Sequence, residues 1–149
     1  MPYVAVVGPG NASEEQERLA EAVGRQLAQR GAIVVCGGLG GVMAAACRGA
    51  DAAGGISVGI LPGNDRAEAN RWATVAIPTG LGELRNGLVV RAADSLVAVG
   101  GGHGTLSEIA LALKTGVKVI GLASWDISGV HPAADADEAV KQALEHLPD

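Results

Sequence analysis

Two rhythms of apolar residues alternate along the chain. Short, mainly apolar runs at 3–7, 32–36, 56–61, 74–78, 96–99 and 118–122 have the length and continuity of strands covered on both faces. Between them, apolar residues recur at helical spacing: Leu19, Val23 and Leu27 lie four apart, and Leu106, Ile109, Ala110 and Leu113 repeat at intervals of three and four. Helices are expected from a cap at Ser13 to about Arg30, over 42–53, over 83–93, after Thr105, and from Asp135 onward. Ser13 with Gln16 forms a capping box, Gly31 is suited to stop the first helix, and Asp135 has Glu138 three residues on. Val140, Leu144 and Leu147 form the inward stripe of the last helix, and Pro148-Asp149 ends the chain. Residues 129–134 are irregular or a short edge strand, because Pro132 cannot donate to a ladder. Strand and helix in strict alternation, joined by right-handed crossovers, predict an α/β fold: a Rossmann-like, doubly wound, mostly parallel sheet in a single domain spanning 1–149.

In such sheets ligands lie beyond the carboxyl ends of the strands, where the strand order reverses. Four turns expected on that edge are rich in glycine: 8–11, 37–41, 79–82 and 100–105. They nominate Gly8, Gly38, Gly40, Gly41, Thr79 and Gly80 as ligand contacts. In the 37–41 turn, tight packing of the alanine-rich helix explains the glycines as well as a ligand does, and both hold together.

The densest turn, Gly100-Gly101-Gly102-His103-Gly104-Thr105, separates a buried strand from a helix. Missing Cβ atoms let an anion approach main-chain N–H groups, and the helix adds unpaired donors and the positive end of its dipole. Such a turn can hold a phosphate. Thr105-Leu106-Ser107-Glu108 also reads as a capping box, with Thr105 the N-cap and Glu108 reaching back to it. Arg85 is the other informative residue. A cation in the first turn of a helix is disfavoured by about 0.3–1 kcal/mol unless an anion is near, and either Glu83 or a bound phosphate supplies one.

Composition narrows the classes. At 149 residues and 48% apolar, the chain can bury a core unaided. A net charge of −5 with only three aromatic residues (Tyr3, Trp72 and Trp125) argues against a nucleic-acid partner. Cys36 and Cys47 have no metal-ligand spacing and are expected as buried thiols, so no metal site is predicted. No run reaches membrane-span length and no leader pattern is present, which predicts a cytoplasmic protein without a membrane partner. The dinucleotide fingerprint is incomplete at 8–13, and the Gly-Lys-Ser/Thr phosphate loop is missing, since no lysine precedes Lys114. Residues 62–72 form the longest polar connection, in which Trp72 either covers a flat heterocycle or anchors its own loop.

Three motifs, GGLGGVMAAACRGA (37–50), TGLGELRN (79–86) and GGGHGTLSEIALAL (100–113), resemble the superfamily that holds the LONELY GUY type phosphoribohydrolases and the molybdenum cofactor carrier proteins. The hydrolase motif Pro-Gly-Gly-x-Gly-Thr-x-x-Glu implies phosphate contacts from Gly101, Gly102, Gly104 and Thr105, with Glu108 and Arg85 as catalytic residues. His103 would be a ligand neighbour. Gly100 stands where that motif has proline, and Asn86 where it has lysine. The TGLGxxRN form, which adds Asn86 to the site, and the chain length are more similar to the carrier group. That resemblance implies a bound phosphate-bearing nucleotide-like or pterin ligand, with molybdenum cofactor as cargo and no cofactor required for chemistry. The alternative is hydrolysis of nucleoside 5′-monophosphates to base and ribose 5-phosphate, not lysine decarboxylation, and a third class is a non-catalytic interaction protein. The resemblance also implies a homo-oligomer, dimer or tetramer, in line with the apolar Leu84, Leu88, Val89, Val90 and Ala92.

Overall fold

The alternating rhythms resolve into seven strands and five α-helices in a computed structural model that describes residues 1–147. In chain order these are β1 (Tyr3–Val7), α1 (Glu14–Gln29), β2 (Ile33–Cys36), α2 (Val42–Ala52), β3 (Ser57–Leu61), β4 (Val75–Pro78), α3 (Arg85–Arg91), β5 (Ser95–Val99), α4 (His103–Thr115), β6 (Lys118–Leu122), β7 (His131–Ala133) and α5 (Ala136–Leu144). Two 3-10 turns, Arg66–Glu68 and Gly82–Leu84, interrupt the connections. The strands form one sheet in the order β4-β3-β2-β1-β5-β6-β7, every neighbouring pair parallel.

Alternation of side chains along the central strands divides the core in two. Val4 and Val6 of β1, with Val97 and Val99 of β5, pack beneath α1, α2 and α5. Ala5, Val7, Leu96 and Ala98 point the other way, onto α3 and α4. Both faces of these strands are covered, which is why they read as unbroken apolar runs.

The caps at the ends of the chain behave as the sequence predicts. Ser13 and Gln16 form the reciprocal capping box of α1, and the Asp135 side chain accepts from the Glu138 N–H at 2.9 Å. The segment containing Pro132 is the edge strand β7, paired only with β6.

Three elements differ from expectation. The helix predicted over 83–93 is a 3-10 turn followed by the seven-residue α3; Gly82 N–H is held by the Pro62 carbonyl at 2.9 Å, which tightens the start. Helix α4 begins at His103 with Gly102 as its N-cap, not at Thr105. Helix α5 ends at Leu144, where Glu145 turns to extended backbone, so Leu147 lies beyond its stripe. Pro148 and Asp149 lie outside the described residues. No helix among the described residues is long and apolar enough to cross a membrane.

Candidate functional site

Strand order reverses between β1 and β5: from β1 the chain steps outward through β2, β3 and β4, then returns to the other side of β1 as β5. A crevice is therefore expected over the carboxyl ends of these two strands. The turn after β1 and the turn after β5 nearly touch there. A Cβ on Gly8 would collide with the Val99 carbonyl and come within 2.7 Å of Val42, so only glycine fits. Above them lies a cavity of about 320 Å³.

One wall of the cavity is the first turn of α4. The first bond of the helical ladder runs from Leu106 N–H to Gly102 O at 2.9 Å. The N–H groups of His103, Gly104 and Thr105 precede it and are the orphan donors of a helix start, at the positive end of a thirteen-residue helix. Trp125 fixes this turn from behind: its indole Nε1–H donates to the same Gly102 carbonyl at 3.2 Å.

The opposite wall is delivered by the long return from β4 to β5. That connection must recross β3, β2 and β1, and it brings α3 over the end of β2 with Arg85 leading. Arg85 is 9% exposed. Its Nη2–H donates to the Gly37 carbonyl at 3.5 Å, its Nη1–H donates to the Asn86 side-chain oxygen, and its Nε has no partner among the described residues. A buried guanidinium with an unmet donor is costly, and an anion placed between it and the amides of α4 meets both needs.

Glu108 completes the cavity, 8% exposed, one turn into α4 from Thr105. Burial pushes its carboxyl up to about 7, although the Arg85 guanidinium pulls in the other direction. The capping box expected of Thr105 and Glu108 is absent, because the helix is capped three residues earlier, at Gly102, which has no side chain to make a cap bond. With Ile109 and Ala112, both residues form the inward face of α4, and Ala110, expected there, is exposed. Nor does Glu83 neutralise Arg85: the ion pairs among the described residues are Arg18–Glu15 and Arg48–Glu21.

The cavity thus gathers Gly8, Arg85, Asn86, Gly102, His103, Gly104, Thr105 and Glu108. The remaining predicted contacts lie outside it. Gly38 accepts from Asn70 through its carbonyl, and Gly40 and Gly41 back onto the Pro9-Gly10 turn, where a Cβ on Gly41 would strike the Pro9 carbonyl. Thr79 and Gly80 belong to an edge turn whose polar groups are already engaged: Thr79 Oγ1–H donates to Leu61 O at 2.7 Å and Gly80 N–H to Gly63 O at 2.9 Å. Gly101 sits against the Trp125 ring. Trp72 anchors its own loop, stacked near Arg48 and Arg71 with guanidinium carbons 5.1 and 5.4 Å from the ring centre. Cys36 and Cys47 are buried free thiols, 3.4 Å apart.

Residues not singled out from sequence also line the cavity: Pro9, Gly10, Gly37 and Met43, with Val6 and Val7 as floor. Their signal was position rather than type. Gly37 opens a glycine-rich turn already noted, and Met43 sits in the first turn of the helix that follows it.

Comparison with known proteins agrees with this architecture. The chain is 44% identical over 142 residues to an uncharacterised protein of Archaeoglobus fulgidus, covering 95% of this chain and 93% of that one. Its structure is similar to that of a molybdenum cofactor binding protein from Rippkaea orientalis, with a TM-score of 0.91, 34% identity and coverage of 95% and 94%. It is likewise similar to the Moco carrier protein of Chlamydomonas reinhardtii, with a TM-score of 0.88, 39% identity and coverage of 98% and 99%. Residues 1–146 match the SLOG cluster4 family, and the chain belongs to that family.

Proposed function

We propose that the chain binds a small phosphate-bearing pterin, of the kind the molybdenum cofactor represents, and carries it without turnover. The observation that carries this reading is Arg85, nearly buried and with a donor unmet among the described residues, lining a cavity whose other wall is the open amides of His103, Gly104 and Thr105. The phosphate of such a cargo would lie between them, with Asn86 steadying the guanidinium. Likeness at 34–39% identity to proteins described as binding or carrying molybdenum cofactor supports the choice of cargo. The reading also includes a cytoplasmic location and a homo-oligomer; the oligomer is supported by apolar side chains on the edge strand β4, the turn after it and α3, where Val75, Ile77, Leu81 and Leu88 are each more than 40% exposed. Of the helix residues expected to serve it, Val89 and Val90 are fully buried in the core instead.

A phosphoribohydrolase is the second reading, because Arg85 and Glu108 face one cavity. That chemistry asks for an ionised carboxylate beside the anomeric carbon, and burial moves the Glu108 carboxyl towards its neutral form. A non-catalytic interaction protein would show no saturable small ligand. Native mass spectrometry of the freshly purified protein tests the carrier, and incubation with nucleoside monophosphates followed by detection of ribose 5-phosphate tests the hydrolase. A co-purifying pterin lost in Arg85→Ala supports the proposal. Release of ribose 5-phosphate that depends on Glu108 would replace it with the hydrolase.

A further inference from the structure

The anion cavity continues past its rim. Asn86, His103 and Gly104 line it and also line a second cavity, of about 410 Å³, whose far side is Glu83, Leu84 and Ser107. The two form one trench between the start of α3 and the start of α4. Its ends differ in chemistry. The inner end has the buried guanidinium and the orphan amides; the outer end has no cation, one exposed carboxylate at Glu83 outside the ion pairs among the described residues, and a leucine 77% exposed at Leu84.

An outer end of that kind repels a second phosphate and favours a flat group that is apolar on its face and donates N–H on its edge. A carboxylate offers two oxygens side by side, which match two parallel donors, and an exposed leucine gains from being covered by a ring. We infer that the outer trench is the base subsite of this ligand site, selecting a 2-amino-4-oxopyrimidine edge through the Glu83 carboxylate, with Leu84 against the ring face. Pterins and guanine share that edge; adenine and hypoxanthine do not. His103 and Asn86 at the rim lie between phosphate and ring. The inference rests on the anion-site reading above and adds to it which heterocycle the site prefers.

Guanosine 5′-monophosphate, inosine 5′-monophosphate and inorganic phosphate separate the two claims in a calorimetric titration of the full chain. Guanosine and inosine monophosphates differ only in the 2-amino group. The subsite predicts guanosine monophosphate bound at least tenfold tighter than inosine monophosphate. Glu83→Gln should bring guanosine monophosphate to within about twofold of inosine monophosphate, while phosphate affinity does not fall; Leu84→Ala should weaken both nucleotides several-fold. Both side chains are exposed, so neither substitution threatens the fold. Equal affinity for the two nucleotides, or a guanosine preference that survives Glu83→Gln, overturns the subsite while leaving the anion site standing. Phosphate binding that is missing, or that persists in Arg85→Ala, overturns the anion site and the subsite with it.

Discussion

Replacing Glu108 by glutamine should stabilise the protein, and by an amount that grows with pH. In the folded chain the carboxyl is held at about 7, against an ordinary value of 4.5, chiefly because burial disfavours its charged form. Below 4.5 the group is protonated in both folded and unfolded chains, so it exacts no penalty. As pH rises through the window from 4.5 to about 7, the unfolded chain ionises first, and folding stability is lost. Since one pKa unit is worth about 1.4 kcal/mol, the full displacement amounts to about 3 kcal/mol at pH 8 and about 1 kcal/mol at pH 5. Glutamine keeps the shape and never ionises. Urea unfolding of both proteins should therefore show Glu108→Gln more stable by about 3 kcal/mol at pH 8 and by about 1 kcal/mol at pH 5. A difference that stays constant across this range, or that favours the native protein at pH 8, would refute the placement of an ionisable carboxyl in a desolvated wall.

Four other measurements follow from the same geometry. Sulfate keeps its charge between pH 6 and 8, so its affinity should decline over that range as Glu108 ionises beside it, and the decline should flatten in Glu108→Gln; calorimetry at three pH values decides this. Arg85→Ala should cut inorganic phosphate affinity at least tenfold, and Arg85→Lys should restore only part of it, because an ammonium cannot place planar donors on Gly37, Asn86 and an anion together. Gly8→Ala should lower unfolding free energy by about 1–3 kcal/mol through forced overpacking against Val99 and Val42, read by urea titration. If the exposed apolar edge joins two copies, Leu88→Asp should shift the sedimentation profile towards monomer, and an unchanged profile would remove that helix from the interface.

The fold was legible because its strands are apolar on both faces and its helices on one. The ends of β1 and β6 match the predicted runs residue for residue, and so does the Ser13 capping box. What local pattern could not convey was distance across the sheet. The turn after β4 is rich in glycine like the turn after β5, yet β4 is an edge strand and β5 lies beside β1, so one turn bonds to its neighbouring loop and the other walls a cavity. The reading of α4 also rotated slightly. Apolar spacing selected Leu106 and Ala110, whereas the buried face carries Thr105 and Glu108. Polar residues on an inward stripe are invisible to a rule that looks for hydrophobes, and their burial is what marks them as part of a site.

The path by which Arg85 arrives has a further consequence. Its helix comes back from a border strand and settles over the middle of the layer, so the pocket is assembled from segments that sit far apart in sequence and on both flanks of the central pair. The donors, Arg85 and the amides of His103, Gly104 and Thr105, all come from the second half of the chain, whereas the floor and the turns at Gly8 and Gly37 come from the first, so neither half alone holds the whole pocket. Loosening of the outer strands β3 and β4 would withdraw the guanidinium while leaving the helical amides in place. Occupancy by an anion would in turn brace that border, tying the integrity of a distant margin to whether the pocket is filled.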